Sequence, residues 1–429
     1  MQAYRASIFH LEADPKTTDG EAYAFHEDGL LLVEDGRVVA CGDYAKLADE
    51  LGETPVEDLS GKLIVPGFVD THIHFPQVDV IAAHGEQLLD WLERHTFPAE
   101  AAFADRGHAE ETAEFFIEEL LRNGTTSALV FGSVHKVSVE ALFGAALKRD
   151  MRIIAGKVLM DRNAPEGLTD TVESGRADML DLIATWHGKG RLGYAVTPRF
   201  AISCSDAQLT MAGEVVAEHP TVWMQTHLSE NIREIVDTAR LFPDARDYLD
   251  VYERFGLMGQ RSVFAHGVHL QGEAFQRLAQ AGSAIAFCPT SNLFLGSGLF
   301  PLETACAHGV EVGIGTDVGA GTTFSILHTL GEAYKVGQMR GEALDPFHAF
   351  YLATLGGAKA LGLEDEIGSL ESGKIADFLV LDLAATPLMA RRMPAAKTLE
   401  DRLFALTVLG DDRVVERTYV AGVERYRRG

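Results

Sequence analysis

Pro66-Gly67-Phe68-Val69-Asp70-Thr71-His72-Ile73-His74 is a short apolar run that ends on two histidines. Its β-branched and aromatic residues suit a strand. Residues two apart in a strand point to the same side, so His72 and His74 present both imidazoles to one face. With 16 histidines in 429 residues, about half an H-x-H pair arises by chance, so the pair carries weight only through its surroundings.

Downstream of this run, short apolar segments alternate with amphipathic stretches long enough for helices. Eight strands are expected, centred on 68–74, 126–131, 152–159, 192–200, 222–227, 263–266, 284–288 and 312–317. Helices are expected between them, among others at 109–122 and 137–149. Eight βα units in series make an α/β chain with a (β/α)8 TIM-like barrel.

The two ends of the chain have another rhythm. Leu30-Leu31-Leu32-Val33 and Arg37-Val38-Val39-Ala40 flank Asp35-Gly36, a hairpin signal. Near the other end, Asp377-Phe378-Leu379-Val380-Leu381 and Thr418-Tyr419-Val420 read as strands, with Ala421-Gly422 turning into Val423-Glu424-Arg425-Tyr426. Neither end alone has the apolar surface for a core, so both are expected to combine in one small composite β-sandwich domain. The expected division is 1–66 and 368–429 for that domain and 67–367 for the barrel.

The 47% hydrophobic and 23% charged content allows a sizeable core. A formal net charge of -26 repels phosphate backbones and anionic membranes, so no nucleic acid and no membrane is expected as partner, which leaves a small neutral molecule. Cys41, Cys204, Cys288 and Cys306 form no C-x-x-C, so neither a disulfide framework nor a cysteine zinc knuckle is expected. The first residues lack a signal-peptide pattern and no apolar run approaches a membrane span, so a cytoplasmic location is expected.

Reactive side chains fall at the C-terminal ends of the expected strands: His72 and His74 on the first, Arg199 on the fourth, His227 on the fifth, His266 on the sixth and Asp317 on the eighth. Barrel enzymes assemble their sites at that rim. Three neutral imidazoles and a carboxylate, His72, His74, His227 and Asp317, suit Zn2+ or Fe2+ with room for water.

Pro66 to His74 resembles the first-strand signature of the amidohydrolase superfamily, and Gly373-Lys374-Ile375-Ala376-Asp377-Phe378 resembles its C-terminal hallmark. The resemblance narrows with His74-Phe75-Pro76-Gln77, Gly85-Glu86-Gln87-Leu88-Leu89, Arg199-Phe200 and His227-Leu228-Ser229-Glu230-Asn231. Phe287-Cys288-Pro289-Thr290-Ser291-Asn292 and Gly315-Thr316-Asp317-Val318-Gly319-Ala320-Gly321 extend it. Over essentially the whole chain these runs are similar to the guanine deaminase family.

The resemblance implies one divalent metal ion per chain, Zn2+ or else Fe2+, held by His72, His74, His227 and Asp317. Members with two metals usually bridge them by a modified lysine at the end of the fourth strand, where this chain has Pro198-Arg199-Phe200. Lys157, in the third strand, is expected to be structural, and His269 lacks the carboxylate a second metal pair needs. The implied reaction is hydrolysis of guanine to xanthine and ammonia in purine catabolism, by a homodimer.

Attack of water on an aromatic C-NH2 carbon puts charge on a ring nitrogen, so an acid must deliver a proton there. By resemblance Glu230 is that acid, Asp317 is the base, and His266 steadies the water or the tetrahedral oxygen, or else ligates the metal. Glu230 has a plainer reading as an acidic residue in a helix first turn. The substrate contacts implied are His74, Phe75, Pro76, Gln77, Arg199, Phe200, His227, Glu230 and Asp317. Guanine offers O6 and N7 as adjacent acceptors that match an arginine fork, while Gln77 can hold the other edge. Arg199 has an alternative, pairing with a carboxylate on the barrel rim. Trp91 and Phe97 either cover the ring or belong to the core.

Rival readings keep the scaffold: a cytosine, 8-oxoguanine or S-adenosylhomocysteine deaminase, a triazine hydrolase, or a non-catalytic assembly protein. The last should have lost ligands, and here all are present. His84-Gly85-Glu86 matches the H-x-E of the cysteine-ligated zinc deaminases, but their P-C-x-x-C is absent.

Overall fold

The computed structural model describes residues 1–18, 22–84 and 87–429. Gly85 and Glu86, and with them the expectations placed on Gly85 to Leu89 and on His84-Gly85-Glu86, lie outside the described residues. Among the described residues no helix is long and apolar enough to cross a membrane.

The N-terminal strands are β1 (Gln2–Leu11), β2 (Tyr23–Glu34), β3 (Arg37–Asp43) and β4 (Val56–Pro66). The barrel strands follow: β5 (Phe68–His74), β6 (Thr125–Phe131), β7 (Arg152–Gly156), β8 (Val158–Leu159), β9 (Gly193–Pro198), β10 (Trp223–Leu228), β11 (Ser262–His266), β12 (Ala284–Phe287) and β13 (Val312–Ile314). The C-terminal strands are β14 (Phe378–Asp382), β15 (Val415–Val420) and β16 (Val423–Arg427).

The two ends form one seven-stranded sheet, ordered β16-β15-β14-β4-β1-β2-β3. Asp35 and Gly36 take φ of 49° and 76°, and Ala421 and Gly422 take 47° and 73°. Positive φ at both central positions is what a two-residue hairpin turn requires. A register break between Arg5 and Ser7 of β1, opposite Asp58 to Leu63, bends the sheet over itself. Tyr4 of β1 thereby meets Phe378 of β14 and Tyr419 of β15, with ring centroids 5.2 and 5.3 Å apart.

The barrel strands run parallel in the order β5-β6-β7-β9-β10-β11-β12-β13, and β8 continues the third strand against β9. The expected strand 152–159 is thus broken at Lys157, whose fully buried ammonium turns aside to pair with Asp170. The last strand stops at Ile314 because Asp317 adopts a left-handed φ of 52°. The expected helices appear as Arg106–Arg122, capped by Asp105 accepting from the amide of His108, and Lys136–Lys148.

First and last strands meet through the Asp317 amide donating to the carbonyl of His72, and the His74 amide donating to that of Val318, both at 2.9 Å. A β-carbon at Gly315 would stand 3.0 Å from that of His72, so this seam needs a glycine. Val69, Leu129, Ile154, Ala195, Trp223 and Val263 fill the barrel floor. The helix Leu355–Ala360 plugs it, and the Trp223 indole N–H donates to the carbonyl of Leu361 at 2.8 Å.

Asp377 ties the folded sheet to the barrel. Its buried carboxylate accepts from both terminal nitrogens of Arg191, with Nη1 at 3.0 Å, and from the amide of Ala421 at 2.8 Å. Removing one partner of a buried pair leaves the other charge uncompensated. Asp377→Ala is therefore expected to lower the unfolding free energy by roughly 3–5 kcal/mol, measured by urea denaturation. A loss below about 1 kcal/mol would place the junction's strength elsewhere.

Candidate active site

The C-terminal ends of β5, β10, β11 and β13 bring His72, His74, His227, His266 and Asp317 together, as the strand register requires. His72 Nε2 and His74 Nε2 lie 3.2 and 3.3 Å from Asp317 Oδ1. His74 Nε2 is 3.1 Å from His227 Nε2, and His266 Nε2 is 4.0 Å from Asp317 Oδ2.

His227 Nδ1 lies 2.6 Å from the carbonyl oxygen of Arg199, which can only accept, so Nδ1 carries the hydrogen and Nε2 keeps its lone pair. His72 Nε2 and His266 Nε2 are buried without a hydrogen-bond partner. Burial pushes His74 down to about 4 and His266 to about 3, and it drives His227 far below its ordinary value with the help of the neighbouring imidazoles. All three are thus neutral donors. Burial opposes ionisation of Asp317, but the imidazoles of His72, His74 and His266 override it and hold its carboxyl well below the usual range. Orphaned buried lone pairs beside a retained carboxylate are the donor set a divalent cation needs. Cys288 also lies close enough to His72 and Asp317 to belong to such a group.

Glu230 follows Ser229, whose φ is 50°, and His266 has φ 75°. Left-handed backbone at non-glycine residues is costly and clusters at functional sites. Glu230 Oε2 is 3.5 Å from His266 Nε2, and Oε1 accepts from the Ser297 hydroxyl at 2.9 Å. Burial, then the charges of Asp317 and Glu234, push its carboxyl well above the ordinary value. The amides of Glu230 and Asn231 both donate to Glu234, at 2.9 and 3.1 Å, so Glu230 is held by its backbone as well as by its side chain.

A small cavity opens on this cluster, lined by His74, Gln77, Arg199, Phe200, His227, Glu230, His266 and Asp317. Trp91, Leu88 and Leu92 cover it. Trp91 is 1% exposed and its indole nitrogen has no partner among the described residues, so it both caps the cavity and offers it a donor. It leads into a π-helical turn, Leu92–Thr96, a local form common at functional sites.

Two expected contact residues lie elsewhere. Phe75 is turned into the core, its ring 4.9 and 5.5 Å from those of Phe103 and Phe116, and neither it nor Pro76 lines the cavity. Strand alternation explains this, since the side chain next to an inward His74 points outward. Phe97 does not line it either, but its ring sits 5.4 Å from the Arg199 guanidinium.

The residue that sequence reading missed is Glu100. It is fully buried and binds Arg199 Nη1 at 2.7 Å and Gln77 Nε2 at 3.0 Å. Arg199 therefore has the carboxylate partner of its alternative reading while it still faces the cavity. His269 Nε2 donates to the carbonyl of Ser297 at 2.8 Å, in keeping with a structural role.

Residues 63–425 match the Amidohydrolase family. The chain is 54% identical over 408 residues to the guanine deaminase of Escherichia coli, covering 95% of this chain and 93% of that protein. The solved E. coli guanine deaminase superposes with a TM-score of 0.97 over the whole of both chains, at 52% identity. The guanine deaminase of C. acetobutylicum, solved with guanine bound in its active site, matches with a TM-score of 0.89 and 30% identity, covering 99% of this chain and all of that one. The chain is a member of the amidohydrolase family, in the branch formed by the guanine deaminases.

Proposed function

We propose that the chain hydrolyses guanine to xanthine and ammonia, acting in the cytoplasm as a homodimer. The observation that carries this reading is Glu230, a buried carboxyl driven toward its protonated form beside an open cluster of neutral imidazoles. Kinship with the guanine deaminases supports the choice of base.

His72, His74, His227 and Asp317 would hold one divalent ion, Zn2+ or Fe2+, with His266 beside it. Such an ion would lower the pKa of a water it holds to about 7. The chain's own residues do the rest. Arg199 presents donors to O6 and N7, and Gln77 holds the opposite edge, so that C2 faces the cluster. As the water oxygen bonds to C2, Asp317 takes the water's proton and Glu230 gives its proton to the neighbouring ring nitrogen. The C2–N bond then breaks as the proton from Asp317 reaches the departing amine, the remaining hydroxyl proton passes to Glu230 as C2 becomes a carbonyl, and ammonia leaves. Trp91 and its neighbours keep bulk water from the ring.

Metal analysis of purified protein should find about one divalent ion per chain. Chelation, or His72→Ala, should remove both metal and guanine turnover, and undiminished turnover by metal-free protein would refute the reading. Glu230→Gln should keep the metal and lose on the order of 10²-fold or more in kcat, followed by xanthine absorbance and ammonia release. A near wild-type kcat would make Glu230 structural. Arg199→Ala should lower kcat/KM for guanine by roughly 1–3 kcal/mol with metal retained, while the wild type leaves adenine unreacted.

A further inference from the structure

The helix Phe97–Ala101 delivers Glu100 behind two residues that line the cavity, Arg199 and Gln77. Glu100 makes two contacts there. Its Oε2 pairs with Arg199 at the end of β9, and its Oε1 accepts from Gln77 just beyond β5. The Gln77 oxygen in turn accepts from the amide of Gly319 at 3.4 Å. An amide with its nitrogen on a carboxylate and its oxygen on an N–H cannot flip without losing both bonds.

We propose that Glu100 is the positioning residue that makes this cavity selective for a neutral heterocycle with adjacent acceptor atoms, resting on the reading of Arg199 and Gln77 as the substrate's contacts. Two physical effects support it. An arginine alone in a buried pocket is a strong site for carboxylates and other anions. Paired at 2.7 Å with a fully buried carboxylate, Arg199 loses its net attraction for anions but keeps the free donors of its fork. The same carboxylate fixes the handedness of Gln77, so the acceptor and donor pattern offered to the ring is set in advance, and preorganisation of this kind lowers the cost of binding. Because Glu100 follows Trp91 in one continuous helical stretch, it also pins the cover to the barrel wall.

The test compares wild type with Glu100→Gln, which keeps shape and removes the charge, and with Glu100→Asp, which keeps the charge and draws it back from its partners. For each, metal content and melting temperature are measured, then kcat and KM for guanine, and inhibition by urate, an anionic purine at neutral pH. In folded, metal-loaded Glu100→Gln, KM for guanine should rise roughly 10- to 100-fold, the usual penalty of misplaced binding groups, with a smaller change in kcat. Urate should become about 10-fold more potent, because Arg199 then stands as an unpaired cation. Glu100→Asp should raise KM without the gain in urate inhibition, and it serves alone if Glu100→Gln does not fold. A purely structural Glu100 would lower the melting temperature and leave KM and urate inhibition of the folded enzyme unchanged, which overturns the proposal, as does an unchanged KM in Glu100→Asp. If wild type itself does not turn over guanine, the functional reading fails and this inference falls with it. Wild-type activity with indifferent variants sinks the inference alone.

Discussion

The closing seam of the barrel, where β5 meets the chain just beyond β13, is the constraint on which everything else rests. Asp70 governs it. Its carboxylate is fully buried and accepts from the amides of His72 and Thr316 at 3.1 Å each, and from the Thr316 hydroxyl at 2.5 Å. Burial pushes that carboxyl up to about 7 against the pull of those donors. One acidic side chain thus welds the residue next to Asp317 to the backbone of His72. Between Asp70 and Ile73, two residues of β5 stand against one of β6, a bulge that falls on Thr71 and His72 themselves. The gathering of His72, His74 and Asp317 is a by-product of how the sheet closes.

Charge in the site is distributed by burial more than by any single contact. Burial pushes the imidazoles of His74, His227 and His266 toward the neutral form, the imidazoles around Asp317 hold its carboxyl low, and burial together with the charge of Asp317 pushes the Glu230 carboxyl up. Asp317 and Glu230, which both approach His266, are thereby pushed in opposite directions, the pattern by which acid and base roles are assigned within one pocket. On the opposite wall, Arg199 and Glu100 cancel each other.

Much of this was legible before any coordinates. The hairpins at Asp35-Gly36 and Ala421-Gly422 were readable because only certain residues tolerate two successive positive φ values. The inward pair His72 and His74, and the gathering of His227, His266 and Asp317 at one rim, followed from strand periodicity and the side of a barrel on which sites form. Phe75 opens the 3-10 turn that follows β5, and its ring packs among Phe103 and Phe116, a placement that the contiguous motif around it does not announce. The break at Lys157 depends on a partner, Asp170, that no periodicity announces. Glu100 was invisible for the same reason, since its meaning arises only beside an arginine 99 positions away.

Asp70 and Thr316 are 246 residues apart in sequence. A ribosome therefore releases His72 and His74 long before the segment that completes their cluster exists, and the strand β14 that pairs with β4 comes later still. Through most of synthesis the first barrel strand has a neighbour on one side only, so the early chain carries an unsatisfied apolar edge. The non-local closure makes this a slow-folding topology. A chain cut short anywhere before Thr316 would lack the partner that fixes Asp70 against His72, whatever the quality of the part already made.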